Sequence, residues 1–332
     1  MARIWLNHWF STAYNIIELI KKGDSSHYII GTNANEYAVY GAVCDEFYKE
    51  PVLKDDEYVE FCLEFCREHK IDVFMPRRGM LPISRNKSRF EEAGVKVMVD
   101  DYDKVSLLND KSKAYGLFRN MGIGRVPEHI IVTNAQQFRE AYEKLEAEYG
   151  QVCFKFVRDE GGMSFRLIDN SRKGYAALFR MSAARIHFDA AFAALSEREE
   201  FSPLMVMPYL PDEEASVDCL RTPHGVIMLP RLKNASRVEK MFFDEEILTA
   251  CRDFFDKFGL DMPCNIQFKY FKGKPYFLEV NTRMSGGVQM SCLGGGVNIP
   301  YIAVSKLLGK DIPWKTEKSD RRVSYVEIPL IR

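Results

Sequence analysis

No apolar run in this 332-residue chain approaches the length of a membrane span. The apolar start at 4–6 is far too short for a secretory signal, and a membrane partner is not expected. No Cys-x-x-Cys pair occurs among the eight cysteines. Cys62 and Cys66 sit four apart, which is helix spacing, and read as core positions rather than metal ligands. Zinc is therefore not expected, and a reduced, cytoplasmic setting is. Excess charge is also lacking: 46 Lys+Arg against 47 Asp+Glu leave a net charge of −1. That balance offers no electrostatic case for nucleic acid or an anionic lipid surface as partner. Internal repeats and low-complexity linkers are missing too. What is present, 46% hydrophobic and 28% charged residues, is ordinary for a globular protein with room for two or three lobes.

One stretch carries unusual chemistry. Residues 263–287 contain two β-prone runs, 264–271 and 275–280, flanking Lys272-Gly273-Lys274, a hairpin signature. Gln267 lies on the first arm. Glu279, Asn281 and Arg283 follow at every second position, and period two predicts all three on one face. A carboxylate and amide oxygens suit Mg²⁺, which takes hard oxygen ligands and keeps phosphate oxygens as partners. A planar guanidinium suits a phosphoryl group in transfer.

The first hundred residues alternate strand and helix. Strands are expected at 3–6, 27–31, 72–75 and 95–99, with helices at 13–21, capped by Ser11 or Thr12, and at 58–69. That order implies a parallel α/β sheet with right-handed crossovers and ligands at the strand carboxyl ends. Arg77 and Arg78 follow the third of these strands. They form either a clamp for a carboxylate or phosphate, or a solvated basic loop. His8 lies in the loop after the first strand, as a substrate contact or a satisfied loop histidine. Further on, Asp110-Lys111 opens a helix to 121, another helix spans 136–149, and 152–157 is a strand. Lys155 sits in that strand between apolar neighbours, where a lysine needs a partner such as phosphate. Gly161 and Gly162, with Ser164, lie between strands and let backbone amides approach phosphate oxygens. Residues 175–196 read as a helix, 204–209, 213–220 and 225–229 as strands, 245–258 and 299–308 as helices. Arg231, Lys233 and Arg237 lie in a basic stretch after 225–229, facing a substrate acid or solvated. Gly286-Gly287 and Gly294-Gly295-Gly296 read as flexible backbone near the hairpin, and the tail ends in a strand.

Glu-Val-Asn-Thr-Arg with the upstream Asn-Ile-Gln resembles the magnesium-binding hairpin of the ATP-grasp superfamily. The form is closest to its carbamoyl-phosphate-synthetase-like and carboxylate–amine-ligase-like branches. The Asp-Lys helix start with Gly-Ile-x-x-x-Pro after it, the strand lysine, the Gly-Gly loop and the strand-turn at 204–214 extend the resemblance over nearly the whole chain. It implies an α/β and α+β architecture. An α/β pre-ATP-grasp domain at 1–105 precedes an ATP-grasp domain at 106–332, with a lid subdomain at about 125–205 and a carboxy-terminal lobe at about 206–332. Lys111 and Lys155 are then phosphate-binding, and Gly161, Gly162 and Ser164 belong to the phosphate-covering loop. Met207, Tyr209 and Leu210 border adenine, and Glu214 takes the ribose. Gln267, Glu279 and Asn281 hold one or two Mg²⁺, with Mn²⁺ able to serve. Gln267 also faces the nucleotide, and Arg283 acts in catalysis.

The implied activity is ATP-dependent activation of a small-molecule carboxylate as an acylphosphate, attacked by an amine, with ADP and phosphate released. The alternatives are an ATP-binding regulatory protein without turnover, or a ligase using ammonia or a thiol. The chain lacks the second half of a carbamoyl-phosphate synthetase and any glutaminase Cys-His arrangement, so carbamoyl phosphate is not the expected product. Homodimerisation is left open.

Overall fold

Short apolar strands and amphipathic helices build the amino-terminal region as the pattern predicts. The computed structural model describes residues 1–159, 162–171, 184–233 and 238–331. The strands are β1 (Arg3–Asn7), β2 (Tyr28–Asn33), β3 (Glu46–Lys49), β4 (Val73–Met75) and β5 (Lys96–Val97). They form a parallel sheet in the order β3-β2-β1-β4-β5. Helix α1 (Thr12–Gly23) buries Ala13, Ile16, Ile17 and Ile20, and α2 (Asp55–Glu68) buries Tyr58, Val59, Cys62, Leu63 and Cys66. Three short helices complete the region: α3 (Met80–Arg85), α4 (Lys87–Glu92) and α5 (Tyr102–Leu108).

Two expectations change here. β3 escapes the pattern because it is a short, half-exposed edge strand carrying Glu46 and Lys49, as edge strands commonly do. Ser11 stands at the start of α1 but its side chain makes no capping bond. The Thr12 hydroxyl instead donates to the carbonyl of Gly286 at 3.3 Å.

The next region holds α6 (Lys111–Asn120), β6 (Ile130–Val132), α7 (Ala135–Tyr149), β7 (Val152–Phe156), β8 (Arg166–Ile168), β9 (Arg185–Ile186), α8 (Phe188–Ser196) and β10 (Leu204–Pro208). Its sheet runs β6-β10-β7-β8-β9, antiparallel except for the β8–β9 pair. Phe138, Ala141 and Leu145 of α7 pack on Val152, Phe154 and Val206. The Asp110 carboxylate caps α6 by accepting from Lys113 N at 3.1 Å. Of the helix expected at 175–196, residues 172–183 lie outside the described residues. The described remainder is helical only from Phe188, because Arg185–Ile186 pairs with β8 and the His187 ring caps α8 by accepting from Asp189 N.

The chain closes with β11 (Glu214–Thr222), β12 (Gly225–Lys233), β13 (Glu239–Met241), α9 (Glu245–Lys257), β14 (Cys264–Phe271), β15 (Lys274–Asn281), α10 (Val288–Gly295), α11 (Ile299–Leu307) and β16 (Arg322–Val323). The sheet order is β15-β14-β11-β12-β13-β16. β12 outruns its expected end, so Arg231 and Lys233 are strand residues, opposite Ser216 and Glu214. Gly294 and Gly295 are not flexible linkers but lie inside α10. A Cβ on Gly294 would come within 2.4 Å of Met241 Sδ, and one on Gly295 within 2.6 Å of Leu229 Cδ2. They are glycines because the helix packs that closely. The tail pairs only at β16, and residues 324–331 have no regular structure.

Contacts divide the chain into two units. One comprises Met1–Leu108, Glu213–Phe268 and Val280–Arg332; the other comprises Asn109–Asp212 and the hairpin tip Lys269–Glu279. In the first unit one core joins Ile16 and Ile20 of α1, Leu220 of β11, Leu229 of β12, Val288 of α10 and Ile302 of α11.

Gly295→Val should lower stability by about 1–3 kcal/mol, the usual cost of overpacking, read as a drop in the urea midpoint. All eight cysteines are free, and Cys44 is the one that is not buried. Burial pushes the Cys62 and Cys66 thiols well up, away from the reactive thiolate. Iodoacetamide on the native protein should therefore modify Cys44 first, with the other seven labelled only on unfolding, as peptide mass spectrometry will read.

Candidate functional site

The hairpin β14–β15 turns through two residues, Lys272 and Gly273, both at positive φ (51° and 71°), the geometry of a type I′ turn. On β14, Cys264, Ile266, Phe268 and Tyr270 are buried, and Gln267 lies half-buried between them. On β15, Pro275 and Phe277 are buried, but the next buried residue is Val280. The phase thus slips by one residue after Phe277. This slip puts Glu279 and Asn281 in the half-buried phase. Arg283 lies beyond the end of β15, yet the alternation of buried Val280, Thr282 and Met284 with half-buried Glu279, Asn281 and Arg283 continues through it. Its Nη1 donates to the carbonyl of Met284 at 3.2 Å.

Within the second unit, residues distant in sequence converge. Lys111 is 7% exposed; its Nζ donates to the Asp159 carbonyl at 2.6 Å and lies 3.7 Å from Glu279 Oε2. Lys155, 6% exposed, places its ammonium 5.9 Å from the centre of the Tyr115 ring. The Tyr115 hydroxyl is buried with no hydrogen-bond partner, and burial, with Glu279 nearby, pushes its pKa upward. The loop after β7 is tied by Ser164, whose hydroxyl accepts from Phe156 N at 2.9 Å and donates to Asp159 Oδ2. Gly162 has φ of +67°, a region that glycine enters without strain. Gly161 lies outside the described residues. Met207 is buried opposite Cys153, and Tyr209 N donates to Gln151 O at 2.8 Å. Leu210 lines a cavity of about 550 Å³ with Arg119, His129, Tyr149, Phe271 and Tyr276. That volume is in the range of small-molecule pockets.

Within the first unit, several expected substrate residues prove to be committed elsewhere. Asn7 at the end of β1 accepts from the backbone N of Arg77 at 2.6 Å and of Arg78 at 3.3 Å, fixing their loop. The Arg78 guanidinium bonds the buried Glu50 carboxylate at 2.8 Å and the carbonyls of Pro51 and Leu53, above the Tyr58 ring. It is a structural residue rather than a fork open to substrate. Arg77 is half-buried and lies over the Phe10 ring. The His8 backbone sits at φ of +46° and its Nδ1 is buried without a hydrogen-bond partner. Arg231 is 2% exposed and bonded to Ser216, Ser285, Ser291 and Glu239, which removes it from direct substrate contact. Lys233 pairs with Glu214 at 2.5 Å, joining a residue expected at the substrate to the one expected at the ribose. Arg237 lies outside the described residues.

The family model for ATP-grasp proteins in the biosynthetic pathway with the Ter operon matches residues 200–329, and the PylC-like amino-terminal domain model matches 11–98. These matches support an ATP-grasp superfamily member. The chain is 24% identical over 327 residues to the arginine-specific large chain of carbamoyl phosphate synthase from Geobacillus stearothermophilus, covering 91% of this chain and 28% of that protein. It is 22% identical to the carbamoyl phosphate synthase large chain of Clostridium botulinum, covering 88% and 27%. It thus spans little more than a quarter of these relatives. Among solved structures, the biotin carboxylase domain of Hydrogenobacter thermophilus 2-oxoglutarate carboxylase, in complex with MgADP, ADP and bicarbonate, superposes with a TM-score of 0.69 at 18% identity, covering 94% of this chain and 71% of that one. Staphylococcus aureus N5-carboxyaminoimidazole synthetase with ADP gives 0.68 at 15% identity, covering 95% and 79%. These likenesses show the ATP-grasp fold.

A carboxylate, as on Glu279, and amide oxygens, as on Asn281 and Gln267, are ligand types that a hard cation takes. Among the described residues no group of three His, Cys, Asp or Glu side chains could hold a metal ion, so amide oxygens are needed to complete a site. The residues that sequence reasoning missed are Tyr115 and the polar side chains beneath Gln267. The latter did leave a signal, since Ser216 and Asp218 on β11 and Asn265 and Gln267 on β14 are polar residues two apart that alternate with apolar ones. Arg78→Ala should destabilise the fold by about 2–3 kcal/mol, as for loss of a charged hydrogen-bond partner of buried Glu50, measured by urea unfolding.

Proposed function

We propose that this chain is an ATP-dependent ligase that activates a small-molecule carboxylate as an acylphosphate for attack by an amine, releasing ADP and phosphate. The observation that carries the reading is the pairing in the second unit of Lys111, a cation suited to phosphate, with Glu279, a carboxylate suited to Mg²⁺, 3.7 Å apart. In this reading the ammonium groups of Lys111 and Lys155 bind the nucleotide phosphates through charge-assisted hydrogen bonds. Glu279, Asn281 and Gln267 would hold Mg²⁺, which contributes charge neutralisation at the phosphates. Gly162 and Ser164 belong to the loop that covers them. Arg283 stabilises charge on the transferring group, the role for which a planar guanidinium is suited. Leu210, with Met207 and Tyr209, borders the adenine, and Glu214 takes the ribose. Arg77, with Lys233, is retained as a candidate for the substrate anion. Residues 1–105 form the substrate-side domain and 106–332 the ATP-binding one, with 125–205 as its lid. The Hydrogenobacter biotin carboxylase domain is described in complex with MgADP and bicarbonate, and likeness to ATP-grasp proteins supports the reaction class.

A screen of carboxylic acids with amines, ammonia and thiols, reading ADP release and product mass, tests the proposal. An amide product supports it; a thioester or primary amide reassigns the nucleophile. Tight ATP binding with no ADP released by any acid in the screen returns the reading to a regulatory ATP-binding protein. In the active pair, Arg283→Ala should lower kcat by about two to three orders of magnitude, as for loss of a charge-stabilising donor, with ATP affinity nearly kept. Glu279→Ala should lower both, because it removes a metal ligand. Steady-state kinetics and calorimetry read the two separately.

A further inference from the structure

A chain of buried polar groups runs through the first unit beneath Gln267, and each link has a direction. The Arg231 guanidinium can only donate. It lies 3.5 Å from Asp218 Oδ2, with both side chains 2% exposed. The Asp218 carboxylate can only accept. Its Oδ2 takes the Ser291 hydroxyl at 2.6 Å, and its Oδ1 takes Asn265 Nδ2 at 3.0 Å. Asn265 is fully buried, so its amide nitrogen must face the carboxylate and its oxygen must point the other way. That oxygen accepts from Gln267 Nε2 at 3.0 Å. Gln267 is thereby forced to spend its nitrogen inward, which leaves its amide oxygen as the outward atom. An amide turned round would present N–H donors, which no cation accepts.

We infer that Asn265 is a positioning residue that orients the Gln267 amide oxygen toward the divalent cation, with the direction set by Asp218 and Arg231. The inference rests on the proposed metal role of Gln267. It explains why an Arg–Asp pair is buried in the strands beneath this position, when an apolar pair would pack there without desolvation cost. Ligands held by such partners typically lose about ten- to a hundredfold in metal affinity when the partner is removed.

The test is Mn²⁺ binding to the intact chain in the presence of ADP, followed by electron paramagnetic resonance, with no turnover required. Gln267→Ala and Asn265→Ala should each weaken Mn²⁺ binding about tenfold. The double variant should be no weaker than Gln267→Ala alone, because orientation is worthless without the amide. In a Gln267→Glu background both side-chain oxygens are equivalent, and Asn265→Ala should then have little effect. Asp218→Asn, which can donate as well as accept and so frees Asn265 to turn, should weaken Mn²⁺ binding without touching the hairpin. Losses from Asn265→Ala and Gln267→Ala that simply multiply would overturn the positioning role, as would an Asn265→Ala protein with unchanged affinity. Unchanged affinity in Gln267→Ala would instead remove Gln267 from the metal site, and the positioning role with it, while leaving the ATP reading to Glu279 and Lys111. Should Asn265→Ala fail to fold, as circular dichroism would report, Asp218→Asn and Gln267→Glu carry the test.

Discussion

The buried guanidinium of Arg231 is the constraint on which the carboxy-terminal sheet depends. A charge at 2% exposure in a protein interior is tolerated only with its donors filled. Here they are filled from four directions: Ser216 on β11, Glu239 on β13, Ser285 in the loop after β15, and Ser291 on α10. One side chain therefore fixes where strands, loop and helix meet. It also dictates composition next door. A Cβ on Gly287 would lie 2.5 Å from the Arg231 guanidinium, so Gly287 is a glycine because the backbone passes that closely over a charge. The same loop is held from its other side by Thr12 through the Gly286 carbonyl.

A different electrostatic logic governs the second unit. Lys111 and Lys155 are nearly buried. Lys111 meets one carbonyl and one carboxylate at 3.7 Å. Lys155 has the face of Tyr115, whose own hydroxyl is unpaired. Cations locked by serines and carboxylates suit a scaffold. Such locking marks a structural basic residue. By it, Arg78, tied to Glu50 and two carbonyls, belongs with Arg231.

The amino-terminal sheet uses polar burial for a third purpose. Asn7, fully buried at the carboxyl end of β1, bonds the backbone on either side of the Arg77–Arg78 peptide and reaches the Tyr58 hydroxyl. It shapes the loop at the edge where open α/β sheets present their ligands. Glu50 then gathers Thr32, Tyr58 and Arg78 into one network. The loop's conformation is set from beneath rather than by its own turn residues.

Periodicity and turn chemistry were enough to read the strand–helix alternation of the first hundred residues, the hairpin turning at Lys272-Gly273, and the spacing of the polar residues Gln267, Glu279 and Asn281 along its arms. These are local properties: apolar spacing, a positive-φ glycine and residue type at fixed offsets specify them without reference to the rest of the chain. Other features depended on partners far away in sequence. The phase slip after Phe277, which leaves Glu279 and Asn281 half-buried rather than buried, is a matter of packing along β15. The burial of Arg231 and the extension of β12 through it follow from residues 15 to 60 positions distant. β3 was invisible because an edge strand with charged residues has little apolar signal of its own. The roles of the glycines in α10 could not be read either, because a glycine in a loop and a glycine under a sheet look alike until Met241 and Leu229 are in place. A sequence records which groups can donate, accept or bury; which of them face one another is decided only when the chain has folded.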